Sequence, residues 1–318
     1  MNVVLNIKNL KKHFVLKKIF QPAKILKALD GISFQLKTQE TLAIVGESGC
    51  GKSTLAKTLM QIEKKSEGSI QFDSLNIEEI FLSDFYKKIQ MVFQDPYSSI
   101  NPRRRAWQII SEPLVVNQKV SVREAKEKAL EMMIKVGLRP EMGDRYPHMF
   151  SGGQRQRIGI ARALMLRPKV LICDEPVSAL DVSIQAQVIN LLLELQDELK
   201  LSLLFISHDL SVVRHIADRV LVMYLGKIVE IGTRDQIFES PQHPYTKLLL
   251  ASRPGFKKDF KDQEYSVSVQ SALELPSPVN PPTGCHFHKR CSLATEDCLK
   301  SYPELLEKNK RLVACFKV

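Results

Sequence analysis

Short apolar runs alternate with amphipathic stretches through the first 250 residues, and no internal repeat or low-complexity tract interrupts them. Thr41–Val45 is a β-branched and aliphatic run that enters a glycine-rich turn, and Lys52–Met60 behind it has helical spacing. Ile89–Phe93, Val170–Cys173 and Leu201–Ile206 are further strand-sized runs bounded by polar residues. Ser121 followed by Glu124 predicts a capping box; Val122, Ala125, Ala129, Met132 and Val136 then keep one helical face apolar until Gly137 ends it. Ile184, Val188, Leu191, Leu192, Leu195 and Leu199 form a second helical stripe. Val220–Tyr224 and Ile228–Ile231 flank Gly226-Lys227 as a hairpin would. Strands alternating with helices in this way predict an α/β fold around a parallel sheet. From about Arg253 the texture changes: lysine, aspartate, serine and then prolines mark a linker before a cysteine-rich tail.

The chain has 318 residues, 44% hydrophobic and 25% charged, the balance of a folded globular protein. No apolar run approaches the roughly 18 residues that span a bilayer. The opening MNVVLNIKNLKKHF lacks the apolar core and cleavage site of a secretory signal, which argues against export. Net charge is +11, and the first 40 residues hold eight lysines against Asp30 and Glu40. Such a segment suits nucleic acid, an anionic membrane surface, a nucleotide or plain solvation, so charge alone does not choose a partner.

Chemistry enters with Gly46-Glu47-Ser48-Gly49-Cys50-Gly51-Lys52-Ser53, followed by Thr54, which matches G-x-x-x-x-G-K-[ST] between a strand and a helix. Glycines there permit a tight turn whose N–H groups face a polyphosphate, and the helix N-terminus adds its dipole. Lys52 is expected on the β- and γ-phosphates and the Ser53 hydroxyl on Mg²⁺. These residues imply a nucleoside triphosphate. A second strand, Val170–Cys173, delivers Asp174 for the metal and Glu175 to polarise an attacking water.

Ser151-Gly152-Gly153-Gln154, a flexible turn opening a helix between those two motifs, resembles the signature of ATP-binding cassette (ABC) ATPases. The resemblance gives the other marks their roles. Gln94 is similar to the glutamine that senses Mg²⁺ and water, Ser178-Ala179-Leu180-Asp181 to the D-loop, and His208 to the switch histidine at the γ-phosphate. Phe14 resembles the aromatic that stacks on adenine, with Phe20 as its competitor. The family implies a RecA-like core, an antiparallel β-subdomain and a helical signature subdomain, here roughly residues 95–165 of a nucleotide-binding domain spanning 1–253. It also implies a head-to-tail dimer in which Ser151–Gln154 complete the ATP site of the opposite subunit. Every catalytic position matches the active pattern.

GESGCGKSTLAKTL, MVFQDPYSSINPR, RYPHMFSGGQRQRIGIARAL, CDEPVSALDVSIQAQVINLL and HPYTKLLL are similar to the ATPase subunits of bacterial oligopeptide/dipeptide permeases. That resemblance implies ATP hydrolysis coupled to peptide import, peripherally on the cytoplasmic face of the cell membrane. The implied partners are a second, related ABC ATPase subunit, two transmembrane permease subunits and an extracytoplasmic substrate-binding protein. Nickel, opines and glutathione move through close relatives, and a soluble ABC ATPase acting on nucleic acid or ribosomes is the reading from another class. Residues 94–105 lie where such cassettes receive the permease coupling helices.

Cys50 and Cys173 are isolated, whereas Cys285, Cys291, Cys298 and Cys315 follow a C-x5-C-x6-C-x16-C spacing at the end of the chain. In a reducing compartment four clustered thiols point to zinc or iron–sulfur before disulfides, but the C-x2-C pairs of structural zinc are missing. The tail resembles the C-terminal extension of peptide-permease ATPases, here residues 254–318, in which some members carry a 4Fe–4S cluster. His286 and His288 could substitute as ligands but read first as surface residues.

Overall fold

A computed structural model describes residues 2–17, 23–95, 99–118, 120–252 and 277–318. Phe20 and most of the linker lie outside them. In chain order the structure runs β1 (Val3–Leu16), β2 (Lys24–Lys37), β3 (Thr41–Val45), α1 (Lys52–Leu59), β4 (Glu67–Phe72), β5 (Leu75–Asn76), α2 (Leu82–Lys88) and β6 (Ile89–Val92). Helices α3 (Ala106–Gln118), α4 (Val122–Lys135) and α5 (Gly152–Leu164) follow, then β7 (Val170–Asp174), α6 (Val182–Leu199), β8 (Ser202–Ile206) and α7 (Leu210–Ile216). The remainder is β9 (Arg219–Tyr224), β10 (Lys227–Thr233), α8 (Arg234–Glu239), α9 (Pro244–Ala251), α10 (Glu296–Lys300), β11 (Leu306–Lys308) and β12 (Arg311–Val313).

The chain forms two compact units, one of Met1–Asn6, Gln35–Thr41 and Gln71–Ile216, the other of Ile7–Phe34, Leu42–Ile70 and Ala217–Val318. In the first, β6, β7 and β8 pair in parallel, with Ile89 opposite Val170 and Val170 opposite Ser202. Every residue of β7 and β8 is buried, which is why their sequences are continuous apolar runs rather than alternating ones. Ile109 and Ile110 of α3, Met133 of α4, Ile158 and Leu164 of α5 and Val188 and Leu192 of α6 pack with Leu171, Leu203 and Phe205 in one core. Each fully buried side chain of this size contributes about 1.5–3 kcal/mol.

Ser121 Oγ accepts the Glu124 N–H at 3.2 Å and caps α4, as the sequence predicts. The reciprocal half of the box is replaced: the Glu124 carboxylate bridges to Lys128 one turn on, at 2.8 Å. A full capping box forms instead at α5, where Ser151 Oγ accepts from Gln154 N and Gln154 Oε1 accepts from Ser151 N.

In the second unit β3 pairs in parallel with β9, and β9 and β10 make the expected antiparallel hairpin. Leu225 and Gly226 turn it with φ of 42° and 74°. The C-terminal segment continues that array, since β12 pairs with β10 (Ile231 opposite Leu312) and β11 with β12. A buried ion pair fastens it: Arg311 Nη1 lies 3.4 Å from the Glu230 carboxylate, which also accepts the Gln242 and His243 N–H groups at 3.0 Å each. Breaking a buried pair by removing one partner costs about 3–5 kcal/mol. Strands β1, β2 and β4 form a separate array in the order β2-β1-β4.

Candidate active site

The loop 46–53 lies in the second unit between β3, buried along its whole length, and α1. Gly46 has φ 154°, and a Cβ there would come within 2.3 Å of the Met223 carbonyl oxygen. Gly51 has φ 109°, and its Cβ would meet the Ala28 carbonyl oxygen at 2.4 Å. Both positions therefore require glycine for space as well as for conformation. Helix α1 starts at Lys52 without a side-chain cap and with no acid in its first turn, which leaves the positive end of its dipole facing the loop. Lys52 is buried, and its Nζ donates to the carbonyl oxygens of Gly46 at 2.8 Å and Glu47 at 3.0 Å, so the ammonium is held inside the turn. Burial pushes the Cys50 thiol up from its ordinary value, which makes it a packing residue rather than a nucleophile.

In the first unit, residues far apart in sequence meet on one carboxylate. Glu175 follows the end of β7, its N–H donating to the Ile206 carbonyl at 3.0 Å, with φ 47°. Gln94 Nε2 donates to Glu175 Oε2 at 3.0 Å, and His208 Nδ1 lies 3.1 Å from the same oxygen. Glu175 is 15% exposed and His208 55%, so the cluster is supported from within yet open at the histidine. Asp174, the last residue of β7, is buried. Burial pushes the neighbouring Cys173 thiol up to about 12, removing it from any chemistry near neutral pH. A carboxylate gripped by an amide and an imidazole is oriented to accept a proton from water.

The sequence model of the family "ABC transporter" matches residues 29–178, and that of the "Oligopeptide/dipeptide transporter, C-terminal region" matches 229–298. The chain is 54% identical to the dipeptide transport ATP-binding protein DppF of Haemophilus influenzae, over 99% of this chain and 97% of that one. It is 49% identical to the oligopeptide transport ATP-binding protein OppF of Salmonella typhimurium, over 99% and 96%. The chain belongs to the peptide-transport ATP-binding proteins of the ABC family. Among solved structures, the dimeric cassette MJ0796 in a post-hydrolysis state with ADP and phosphate superposes with a TM-score of 0.64 at 27% identity, covering 72% of this chain and 98% of that one. CbiO1 of Clostridium perfringens gives 0.65 at 30%, covering 76% and 92%. Both likenesses bear out the ABC cassette fold.

Ser151 is exposed, and because its oxygen accepts the cap bond its own hydroxyl hydrogen is left to donate outward. A Cβ on Gly153 would press to 2.5 Å on Ile184, so the second signature glycine lets α5 approach α6. Asp181 stands at the N-cap of α6 without a side-chain cap bond to it. Phe14, on β1, is half-buried with the Lys12 ammonium 4.5 Å from its ring centre.

Cys285, Cys291, Cys298 and Cys315 all line one cavity in the second unit, together with His243 and His288. Burial raises the thiols of Cys285, to about 11, and of Cys291 and Cys315, so they are protonated at neutral pH. Among the described residues no three His, Cys, Asp or Glu side chains form a group able to hold a metal ion. His286 is not a surface residue: it is buried, its ring edge-on to Tyr302 at 5.1 Å and Nδ1 3.2 Å from the Leu225 carbonyl. Two residues to which the sequence analysis gave no place in the site touch the phosphate loop. Tyr245 Oη accepts the Glu47 N–H at 2.9 Å, and Arg290 grips the Glu47 carboxylate. Separations of 198 and 243 residues leave no local signal for either contact.

Proposed function

We propose that the chain is the ATP-hydrolysing subunit that energises import of dipeptides or oligopeptides through a membrane ABC transporter. The near full-length identity to dipeptide and oligopeptide transport ATP-binding proteins supports the cargo. The observation that carries the chemistry is Glu175 Oε2 held by Gln94 and His208, beside the strand end that bears Asp174. Gly46–Thr54 bind the phosphates, with Lys52 supplying the charge, and Phe14 stacks on the adenine. Glu175 takes the proton of the attacking water, and His208 orients Glu175 and reaches the γ-phosphate. Ser53, Asp174 and Gln94 hold Mg²⁺: hydroxyl, carboxylate and amide oxygens are the hard donors this ion prefers. The ion neutralises charge on the β- and γ-phosphates when bound. Ser151–Gln154 and Asp181 serve the opposite subunit's ATP, with the Ser151 hydroxyl donating to phosphate.

The same reading gives the chain a second, related ABC ATPase as dimer partner, two permeases, a substrate-binding protein outside the cell, and a peripheral seat on the cytoplasmic face of the membrane. No helix among the described residues is long and apolar enough to cross a bilayer. Residues 254–318 serve as the linker and extension after a 1–253 nucleotide-binding domain. A 4Fe–4S cluster on Cys285, Cys291, Cys298 and Cys315 rests on the resemblance of the tail and on the softness of four thiols lining one cavity, since the described residues do not themselves form a metal-holding group. Anaerobic purification followed by iron and sulfide assay tests that part, and colourless, iron-free protein overturns it.

The test of function is to tag the chain, solubilise membranes in mild detergent and identify what co-purifies. Two multispanning proteins and a second cassette are expected, and their binding protein then reports whether the cargo is peptide, nickel or glutathione. Recovery from the cytosol with nucleic acid or ribosomes overturns the transport reading.

A further inference from the structure

The phosphate loop carries an acid where a polyanion is to bind. Glu47 is its second residue, 25% exposed, and the negative charge of an unpaired carboxylate there would oppose every phosphate oxygen brought to the turn. Arg290 answers it with two parallel hydrogen bonds, Nη1 to Oε2 at 2.9 Å and Nη2 to Oε1 at 3.0 Å. The guanidinium is only 7% exposed, lies 5.8 Å from the ring centres of both Tyr224 and Phe287, and reaches the Tyr224 hydroxyl at 3.4 Å. Burial works against its charge, but the bonds to Glu47 and Tyr224 outweigh that and raise its pKa.

Glu47 is held at its main chain as well. Its N–H donates to Tyr245 Oη and its carbonyl accepts from Lys52 Nζ, so three side chains fix one residue at the mouth of the turn. Tyr245, Tyr224 and Phe287 pack ring on ring, with centres 4.6 to 5.5 Å apart, and form the floor on which Arg290 rests. A buried, stacked, two-point arginine has lost little freedom in making this contact, unlike a flexible surface pair.

We infer that Arg290 is a positioning residue for the nucleotide: by neutralising and fixing Glu47 it keeps the loop 46–53 receptive to the phosphates of ATP. The inference rests on the reading that this loop holds those phosphates. It makes the C-terminal segment part of the nucleotide-binding apparatus, although Arg290 touches no substrate atom.

The experiment measures the affinity of the full-length chain for a fluorescent ATP analogue with Mg²⁺, in wild type, Arg290→Met, Glu47→Gln and the double variant. Arg290→Met is expected to weaken binding roughly 10- to 100-fold, because Glu47 is left charged and unpaired. Glu47→Gln/Arg290→Met is expected within about 3-fold of wild type, since the carboxylate that needed neutralising is gone. That rescue is what a merely structural arginine would not produce. Unchanged affinity in Arg290→Met, or a double variant as weak as the single one, overturns the proposal. If Arg290→Met does not fold, Arg290→Lys keeps a charge but loses the fork. It should bind about 3- to 10-fold more weakly, with recovery in Glu47→Gln/Arg290→Lys, and equal affinities there overturn the proposal. Lys52→Ala serves as the reference: if it binds as tightly as wild type, the phosphate-loop reading itself falls and the proposal falls with it.

Discussion

In the phosphate loop the decisive atoms belong to the main chain, whereas in the Glu175 cluster they belong to side chains. Gly46 and Gly51 have no room for a Cβ, and the groups that hold the loop in shape (Lys52, Tyr245) bond to its backbone. Gln94, Glu175 and His208 instead meet through an amide, a carboxylate and an imidazole, the last of them more than half exposed. A main-chain device is limited by shape at its glycines, and in this loop the side-chain chemistry that counts is the charge of Lys52 and Glu47. A side-chain device tolerates small changes of shape but not of chemistry. Binding and turnover are thus separable by mutation.

The sharpest way to break this contrast is Glu175→Gln. The amide is nearly isosteric but cannot take a proton, so turnover should fall about 10³-fold while ATP affinity stays within about 3-fold. Hydrolysis at the wild-type rate would remove Glu175 from its role.

Next in size is a dependence on acid. His243 caps α9, accepting the Tyr245 N–H on Nδ1 at 3.0 Å, and burial lowers its pKa to about 3. Between the unfolded value near 6.5 and the folded one, the unfolded chain binds the extra proton, so stability rises with pH across this window and is lost on acidification. His286, lowered to about 4 by burial, acts with the same sign. Urea unfolding should show a loss of roughly 3 kcal/mol from His243 between pH 6.5 and 4. His243→Asn, which keeps a capping oxygen, should flatten that slope, and an unaltered slope counts against the assignment.

Lys52→Ala should weaken ATP binding about 10- to 100-fold, the loss of charge-assisted hydrogen bonds, without unfolding the loop's glycine turns. Titration with labelled nucleotide reads it directly. The smallest effect is expected from Gln94→Ala, which removes one donor from Glu175 and one oxygen proposed for Mg²⁺, and should slow turnover about 10-fold with a smaller loss of affinity. A larger loss of affinity than of rate would move Gln94 from the water side of the site to the nucleotide side.

The strand–loop–helix at 41–59 and the strands that carry Gln94, Asp174 and His208 were legible because their signals are local: an apolar run, a glycine pattern, a polar stop. Ser121 was equally readable, being three residues from the N–H it caps. What the chain does not announce is set by distance. Strands β11 and β12 are three residues each, too short to register as patterns, and exist through pairing to β10 and the Arg311–Glu230 contact. His286 sits in a polar Cys-His-Phe-His-Lys stretch that reads as exposed, yet its ring is buried, edge-on to Tyr302 and bonded to the Leu225 carbonyl. Strands β1 and β2 were obscured because their positions do not alternate regularly: Val4 and Leu5 are both buried, Lys8 and Asn9 both exposed, Lys24 and Ile25 both exposed, and the Lys12 side chain is largely covered against Glu63 and the Phe14 ring. The meeting of Arg290 and Glu47 is the extreme case, since a salt bridge across 243 residues leaves no trace in either segment.

Glu175 adopts φ 47°, a left-handed conformation that a non-glycine residue takes at a cost of about 1–3 kcal/mol. Glycine at 175 would be released from that cost, so an evolution experiment that rewards heat resistance alone has a route to this position. The clone it enriches would melt later and hydrolyse nothing. Improvement of this chain by selection must therefore score turnover in every round, because at residue 175 durability and catalysis are alleles of one another.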